Sequence, residues 1–133
     1  MGEPVIIEAV RTPIGKRGGY LSGVIAPKLL ATVQQEVLKR AGVKPEEVDQ
    51  LVGGCVTQAG QQASNVTRNA WLSMGEDYSP AATTIDCQCG SGAQANTFVQ
   101  GLIAPGGAQI ALGCGVEQMS QVRLGTAARG GGG

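Results

Sequence analysis

The 133-residue chain contains no histidine. Most cysteine-based acyl chemistry uses that residue as base or orienting group. Either the chain does not perform such chemistry, or the partner groups lie elsewhere. Aromatic residues are scarce at 3%, against 22 glycines, so the core must be built from aliphatic and small side chains at close range. The glycines keep no fixed period and aliphatic runs separate them, which excludes collagen-like and disordered readings. Neither charge sign is in excess, with ten basic residues against ten acidic ones, so nothing calls for nucleic acid or an anionic membrane as partner. No apolar run approaches the roughly 20 residues that span a bilayer. The opening Glu3-Pro4-Val5-Ile6-Ile7 places no basic stretch ahead of a long apolar core, so no signal peptide is expected. The expectation is a cytoplasmic, single-domain protein whose four cysteines are reduced thiols rather than structural disulfides.

What is present alternates between two periods. Val5 to Val10 is a short β-branched run that reads as a first buried strand. A glycine-bearing loop from Arg11 to Gly23 follows. Pro27 stands at a first helical position, and Leu29, Val33, Val37 and Ala41 recur every fourth residue, widened by Leu30 and Leu38, up to the stop signal Gly42. Pro45 to Val48 suggests one helical turn, and Leu51 to Val56 a second strand whose glycines imply close approach of another backbone. Ser64 or Asn65 can cap a second helix bearing Val66, Ala70 and Met74, ended by Gly75. Ala82 to Ile85 makes a third strand. A third helix runs from near Cys89 to about Ala104, apolar on nearly every side and so expected to be buried. Ile110 to Cys114 is the fourth strand. The order β-α-β-α-β-α-β predicts an α/β fold with a mostly parallel sheet. The domain is expected to span residues 1–120, with 121–133 a linker, truncated end or disordered tail.

The informative stretch is Thr83-Thr84-Ile85-Asp86-Cys87-Gln88-Cys89-Gly90-Ser91-Gly92-Ala93. It passes from strand to tight turn to helix, and ligands gather at the carboxyl ends of strands in open parallel sheets. Cys89 stands where the first helical N–H groups lack internal partners and the helix dipole places partial positive charge. Both effects favour the nucleophilic thiolate. Gly90 and Gly92 remove side chains that would block an incoming group, and the free N–H groups suit a developing oxyanion. The same cysteine also fits a small buried hydrophobe, and spacing does not decide between the two. Gly90 to Ala95 fits the loose dinucleotide fingerprint, with Glu117 near the distance of a ribose contact. Against that reading, two β-α units precede the motif and the cysteine stays unexplained. Zinc at Cys55, Cys87, Cys89 and Cys114 lacks the paired knuckles of structural sites, so no metal is expected, and Cys114 fits plain core.

These residues resemble a known family. Cys89-Gly90-Ser91-Gly92 with Gln94-Ala95 resembles the active-site segment of thiolases. Arg11 to Lys16 resembles their loop after the first strand. Gln58 to Arg68, with Gln61, Asn65 and Arg68, resembles the entry to the second helix, and Gly113 to Ser120 the turn after the fourth strand. The resemblance implies acyl transfer on coenzyme A thioesters: thiolytic cleavage of 3-ketoacyl-CoA, or the reverse Claisen condensation, through a Cys89 acyl-enzyme. It implies acyl-CoA as substrate and no covalently bound cofactor. Two histidines and a second cysteine would come from a C-terminal half or second chain, which accounts for the missing imidazole and leaves this chain inactive alone. Asp86-Cys87-Gln88 before the nucleophile looks like the bacterial thiolases of steroid side-chain breakdown. The family's two-fold pairing implies dimers or tetramers, with self-association through the third-strand edge. Its sheet order also brings Cys55 and Cys87 together as redox partners of the site. A non-catalytic domain that keeps the thiolase fold for binding or assembly stays open beside the enzyme.

Overall fold

The computed structural model describes residues 3–75 and 79–129. Three five-residue strands form a parallel sheet: β1 (Gln50–Gly54), β2 (Ala81–Ile85) and β3 (Ala111–Gly115), in the order β2-β1-β3. The register sets Val52 beside Thr83 and Gly113, and Gly54 beside Ile85 and Gly115. Helix α1 (Ala26–Ala41) precedes β1, α2 (Val66–Ser73) joins β1 to β2, and α3 (Ser91–Ile103) joins β2 to β3. A short helical turn, α4 (Thr126–Arg129), comes last.

Two neighbouring glycines on β1 show how the layers stack. A Cβ on Gly53 would meet the Thr67 side chain of α2, whereas one on Gly54 would meet the Ser91 and Gly92 backbone of α3. Successive strand residues face opposite ways, so α2 and α3 cover opposite faces of the sheet. α1 packs on α2. Trp71 is fully buried among Leu38, Val48 and Leu51, and Leu30, Ala31 and Ala70 join α1 to α2.

α1 obeys its sequence signals at both ends, with Pro27 in the first turn and Gly42 left-handed at φ 66°. Its buried ridge, however, is Ala26, Leu30, Ala31, Gln34 and Leu38, one residue along from the expected line of Leu29, Val33, Val37 and Ala41, which is only half-buried. A glutamine at its centre hid the true ridge. Gln34 Nε2 donates to the Thr67 carbonyl at 3.5 Å and to Cys114 Sγ at 3.8 Å, while its Oε1 has no partner among the described residues.

Three expectations are corrected. Val5 to Val10 is not a strand, and Ile6 is 90% exposed. A β-branched run forms a strand only where a neighbour pairs its N–H and C=O groups, and no described strand does so here. The sheet therefore has three strands, not four. α3 is not a buried helix in this chain either: only Ser91 and Ala95 are buried, and Phe98 is 47% exposed. One face of α3 lies on β1 and β3, and among the described residues no second layer covers the other. Lastly, the protein does not lose its order at residue 120. Val122 is buried, and Gln121 donates to the Ser22 carbonyl at 2.8 Å; residues 130–133 of the expected tail lie outside the described residues. No helix of the described chain is long and apolar enough to cross a membrane.

Candidate active site

The carboxyl end of β2 runs into a closed turn. Gly90 N–H donates to the Cys87 carbonyl at 3.1 Å, and Ser91 N–H to the Gln88 carbonyl at 3.0 Å. Gln88 takes φ +48°, a left-handed conformation that a non-glycine residue holds only when its surroundings impose it. They do so through Ser91, which is 4% exposed. Its hydroxyl accepts from Cys87 N–H at 2.9 Å and donates to the Gln88 carbonyl at 2.5 Å. Asp86 Oδ1 accepts from Gln88 N–H at 2.7 Å.

Cys89 is exposed, in the turn and one residue ahead of the α3 N-cap, Gly90. Its N–H has no acceptor among the described residues. A thiol open to solvent beside an unpaired N–H and a helix N-terminus suits attack on a carbonyl. The absent side chain at Gly54 makes this placement possible. A Cβ there would stand 2.3 Å from the Ser91 carbonyl carbon and 2.5 Å from Gly92 N, so the first turn of α3 rests directly on the end of β1. Gly113 admits Asn96 of α3 in the same way.

The other cysteines occupy different environments. Cys55 is 1% exposed, and its Sγ lies 3.8 Å from Glu117 Oε2. Burial first, then the Glu117 charge, pushes its thiol up to about 12. Cys114 lies in β3, where burial pushes its thiol up to about 11. Cys87 is exposed beside Cys89. The structure thus brings Cys87, Cys89, Gly90, Ser91 and Gly92 into one turn, and Cys55 is buried at the start of the loop after β1, its N–H donating to the Ile85 carbonyl at 3.0 Å.

Glu117 has a structural part that spacing assigned to a ribose contact. Oε2 accepts from Val56 N–H at 2.9 Å, and Oε1 from Thr57 N–H at 3.2 Å and Gln62 Nε2 at 3.1 Å. The carboxylate clasps the loop after β1 to the loop after β3. Glutamines extend the clasp. Gln62 Oε1 accepts from Gln118 N–H at 2.7 Å, Gln118 Nε2 donates to the Leu21 and Val24 carbonyls at 2.8 Å each, and Gln61 Oε1 accepts from Ala26 N–H at 2.7 Å. Sequence reasoning missed Gln62 and Gln118, because scattered glutamines carry no periodic signal. Asn65 and Arg68 also gain definite parts. Asn65 caps α2 and bonds the Ala82 carbonyl and Thr84 Oγ1 of β2, while Arg68 donates to the Pro80 carbonyl.

An open groove of about 440 Å³ lies away from this turn, lined by residues of β1, β2 and α3 that include Val52, Thr83 and Phe98. β2 is an outer strand of the sheet and Thr83 is exposed.

A family described as thiolase, N-terminal domain, matches residues 4–131. A steroid 3-ketoacyl-CoA thiolase of Mycobacterium tuberculosis is 39% identical over 127 residues, covering 96% of this chain and 31% of the relative. An acetyl-CoA acetyltransferase of Syntrophomonas wolfei is 40% identical over 119 residues, covering 90% and 30%. The crystal structure of the Bacillus anthracis acetyl-CoA acetyltransferase superposes with a TM-score of 0.82 at 40% identity, over 87% of this chain and 29% of that one. The chain spans about three-tenths of the length of these relatives. The dinucleotide reading of Gly90 to Ala95 falls with this match, since those residues lie within the matched thiolase domain.

Proposed function

Because the chain belongs to the thiolase family, with the N-terminal domain matched over residues 4–131, we propose that it accepts acyl groups from coenzyme A thioesters on Cys89. In the cleavage direction, Cys89 Sγ attacks the 3-keto carbon of a 3-ketoacyl-CoA. The oxygen takes up negative charge and is held in part by the Cys89 N–H. Collapse breaks the bond between the α- and β-carbons, so acetyl-CoA leaves once its α-carbon is protonated and the acyl group stays on sulfur. The thiol of coenzyme A then attacks the thioester and frees Cys89. The observation that carries this reading is the exposed Cys89, set ahead of α3 with its N–H unpaired among the described residues.

The proton-moving groups come from outside this sequence. Asp86 already accepts Gln88 N–H, and Glu117 is committed to three N–H donors and the Cys55 thiol. Neither matches a family acid or base. A histidine and a second cysteine supplied by a C-terminal thiolase half or a second chain fill the gap, and their absence costs about 10² to 10⁴ in rate. The test is incubation with acetoacetyl-CoA and mass mapping of the acyl group. Acylation at Cys89, abolished in Cys89→Ala, is expected, with sustained turnover only when the C-terminal half is added. Acylation at another residue, or multiple turnover by this chain alone, overturns the reading.

Self-association through the β2 edge is part of the same proposal. An outer strand with unpaired N–H and C=O groups pairs readily with another chain, and the groove beside Phe98 gives a second copy an apolar seat. Sedimentation should show a dimer that Thr83→Pro disrupts; a monomer at all concentrations refutes the contact.

A further inference from the structure

Cys87 has no packing role: it is exposed and belongs to none of the core clusters. It nevertheless shares a closed turn with Cys89, and both its amide and its carbonyl are fixed, by the Ser91 hydroxyl at 2.9 Å and by Gly90 N–H at 3.1 Å. Residues two apart cannot separate their Cα atoms by more than about 7 Å even in extended chain. A closed turn shortens that span into the window of about 4.4–6.8 Å that a disulfide needs. Cys55 and Cys114 are poor alternatives. The first is buried against a carboxylate, the second is held in β3, and burial raises both thiols above their ordinary value.

We propose that Cys87 is the resolving thiol of Cys89, so that the turn is a site of reversible oxidation by hydroperoxides. The Cys89 thiolate attacks the distal peroxide oxygen. The O–O bond breaks, an alcohol or water leaves after taking a proton, and Cys89 becomes a sulfenic acid. The Cys87 thiolate then attacks the Cys89 sulfur, the S–O bond breaks, and hydroxide leaves as water after protonation. The two sulfurs together lose two electrons, which reduce one peroxide. An external dithiol restores both thiols by exchange. Without Cys87 the sulfenic acid persists and a second peroxide carries it to the sulfinic acid, which thiols do not reverse. This chemistry needs only the two exposed thiols; the consequence that oxidation halts acyl transfer rests on the function proposed above.

The experiment treats the full chain with limiting hydrogen peroxide, then with excess, and maps the products by fragmentation mass spectrometry. The expected result is a loss of about 2 Da confined to residues 87–89 and reversed by dithiothreitol. In Cys87→Ser, Cys89 should instead gain about 32 Da at excess peroxide. Circular dichroism confirms that the variant is folded, and Cys87→Ala serves as a second version of the same test. A bridge from either thiol to Cys55 or to another chain overturns the proposal. So does sulfinic acid forming on Cys89 equally fast with and without Cys87. Acylation of the reduced protein is measured on the same samples: a reversible 87–89 bridge without acylation removes the acyl-transfer reading and leaves the thiol pair standing.

Discussion

Gly54→Ala is the sharpest test of how the nucleophile is positioned. The added methyl would stand 2.3 Å from the Ser91 carbonyl carbon, against a lower edge of ordinary contact at 3.4 Å, so about 1.1 Å must be found. The obstacle is backbone at the first turn of α3, flanked by Ser91, whose hydroxyl holds the Cys87–Gln88 turn, and no side chain can rotate away. Overpacking of this kind costs about 1–3 kcal/mol or more. Displacing α3 by about 1 Å also moves Cys89, and a misplacement of that size is worth about 10²-fold in a reacting geometry. Gly113→Ala is the internal control. There the methyl meets the Asn96 side chain at 2.1 Å, and Asn96 is exposed, so its amide can turn away at smaller cost. Urea midpoints and the rate of Cys89 acylation by acetoacetyl-CoA check both variants. Wild-type stability and acylation in Gly54→Ala, or a larger loss in Gly113→Ala, would refute the reasoning.

Three further outcomes are expected. Glu117→Ala leaves Val56 N–H and Thr57 N–H without their acceptor and removes one of the two acceptors of Gln62 Nε2, which keeps the Thr57 carbonyl at 2.8 Å; hydrogen bonds to a charged group are worth about 1.5–3 kcal/mol each, so even with solvent entering, a loss of about 3 kcal/mol should appear in urea unfolding, and Glu117→Gln should recover part of it. Asn65 combines an N-cap at φ 64° with two bonds to β2, so Asn65→Ala should lose about 1–3 kcal/mol, a value that thermal melting measures and a neutral substitution contradicts. The Asp49 carboxyl is held below its usual 3.8 by the N–H groups of Gln109 and Ile110, at 2.7 and 3.1 Å. A depressed folded value means that its stabilising effect is complete above the unfolded value and is lost as pH falls through the folded one; wild type should weaken in acid by more than Asp49→Asn, and parallel acid titrations of the two would count against this.

The helices were legible because Pro27, Gly42, Asn65 and Gly75 punctuate them and because their apolar positions recur. β1, β2 and β3 were legible as short apolar runs. Val5 to Val10 has the same composition and yet forms no strand, because pairing is a property of the neighbour rather than of the run. The turn at Cys89 could be found from its glycines and its place between a strand and a helix. Its geometry could not, since the left-handed Gln88 follows from a serine hydroxyl three residues later. The exposure of α3 was invisible for a related reason: an apolar circumference states what a helix can bury, not what stands beside it.

The glutamine clasp has a kinetic meaning. Gln118 reaches back 97 and 94 residues to Leu21 and Val24, and Gln121 reaches back 99 to Ser22. Contacts of such sequence separation require closure of nearly the whole chain before they return any enthalpy. During synthesis, the segment ahead of α1 therefore waits, without its final partners, until almost the last described residues leave the ribosome. The helices and their local caps can form early, whereas the loops at the end of the sheet are fastened late. Refolding probes placed near Ser22 should accordingly lag behind those placed near Trp71.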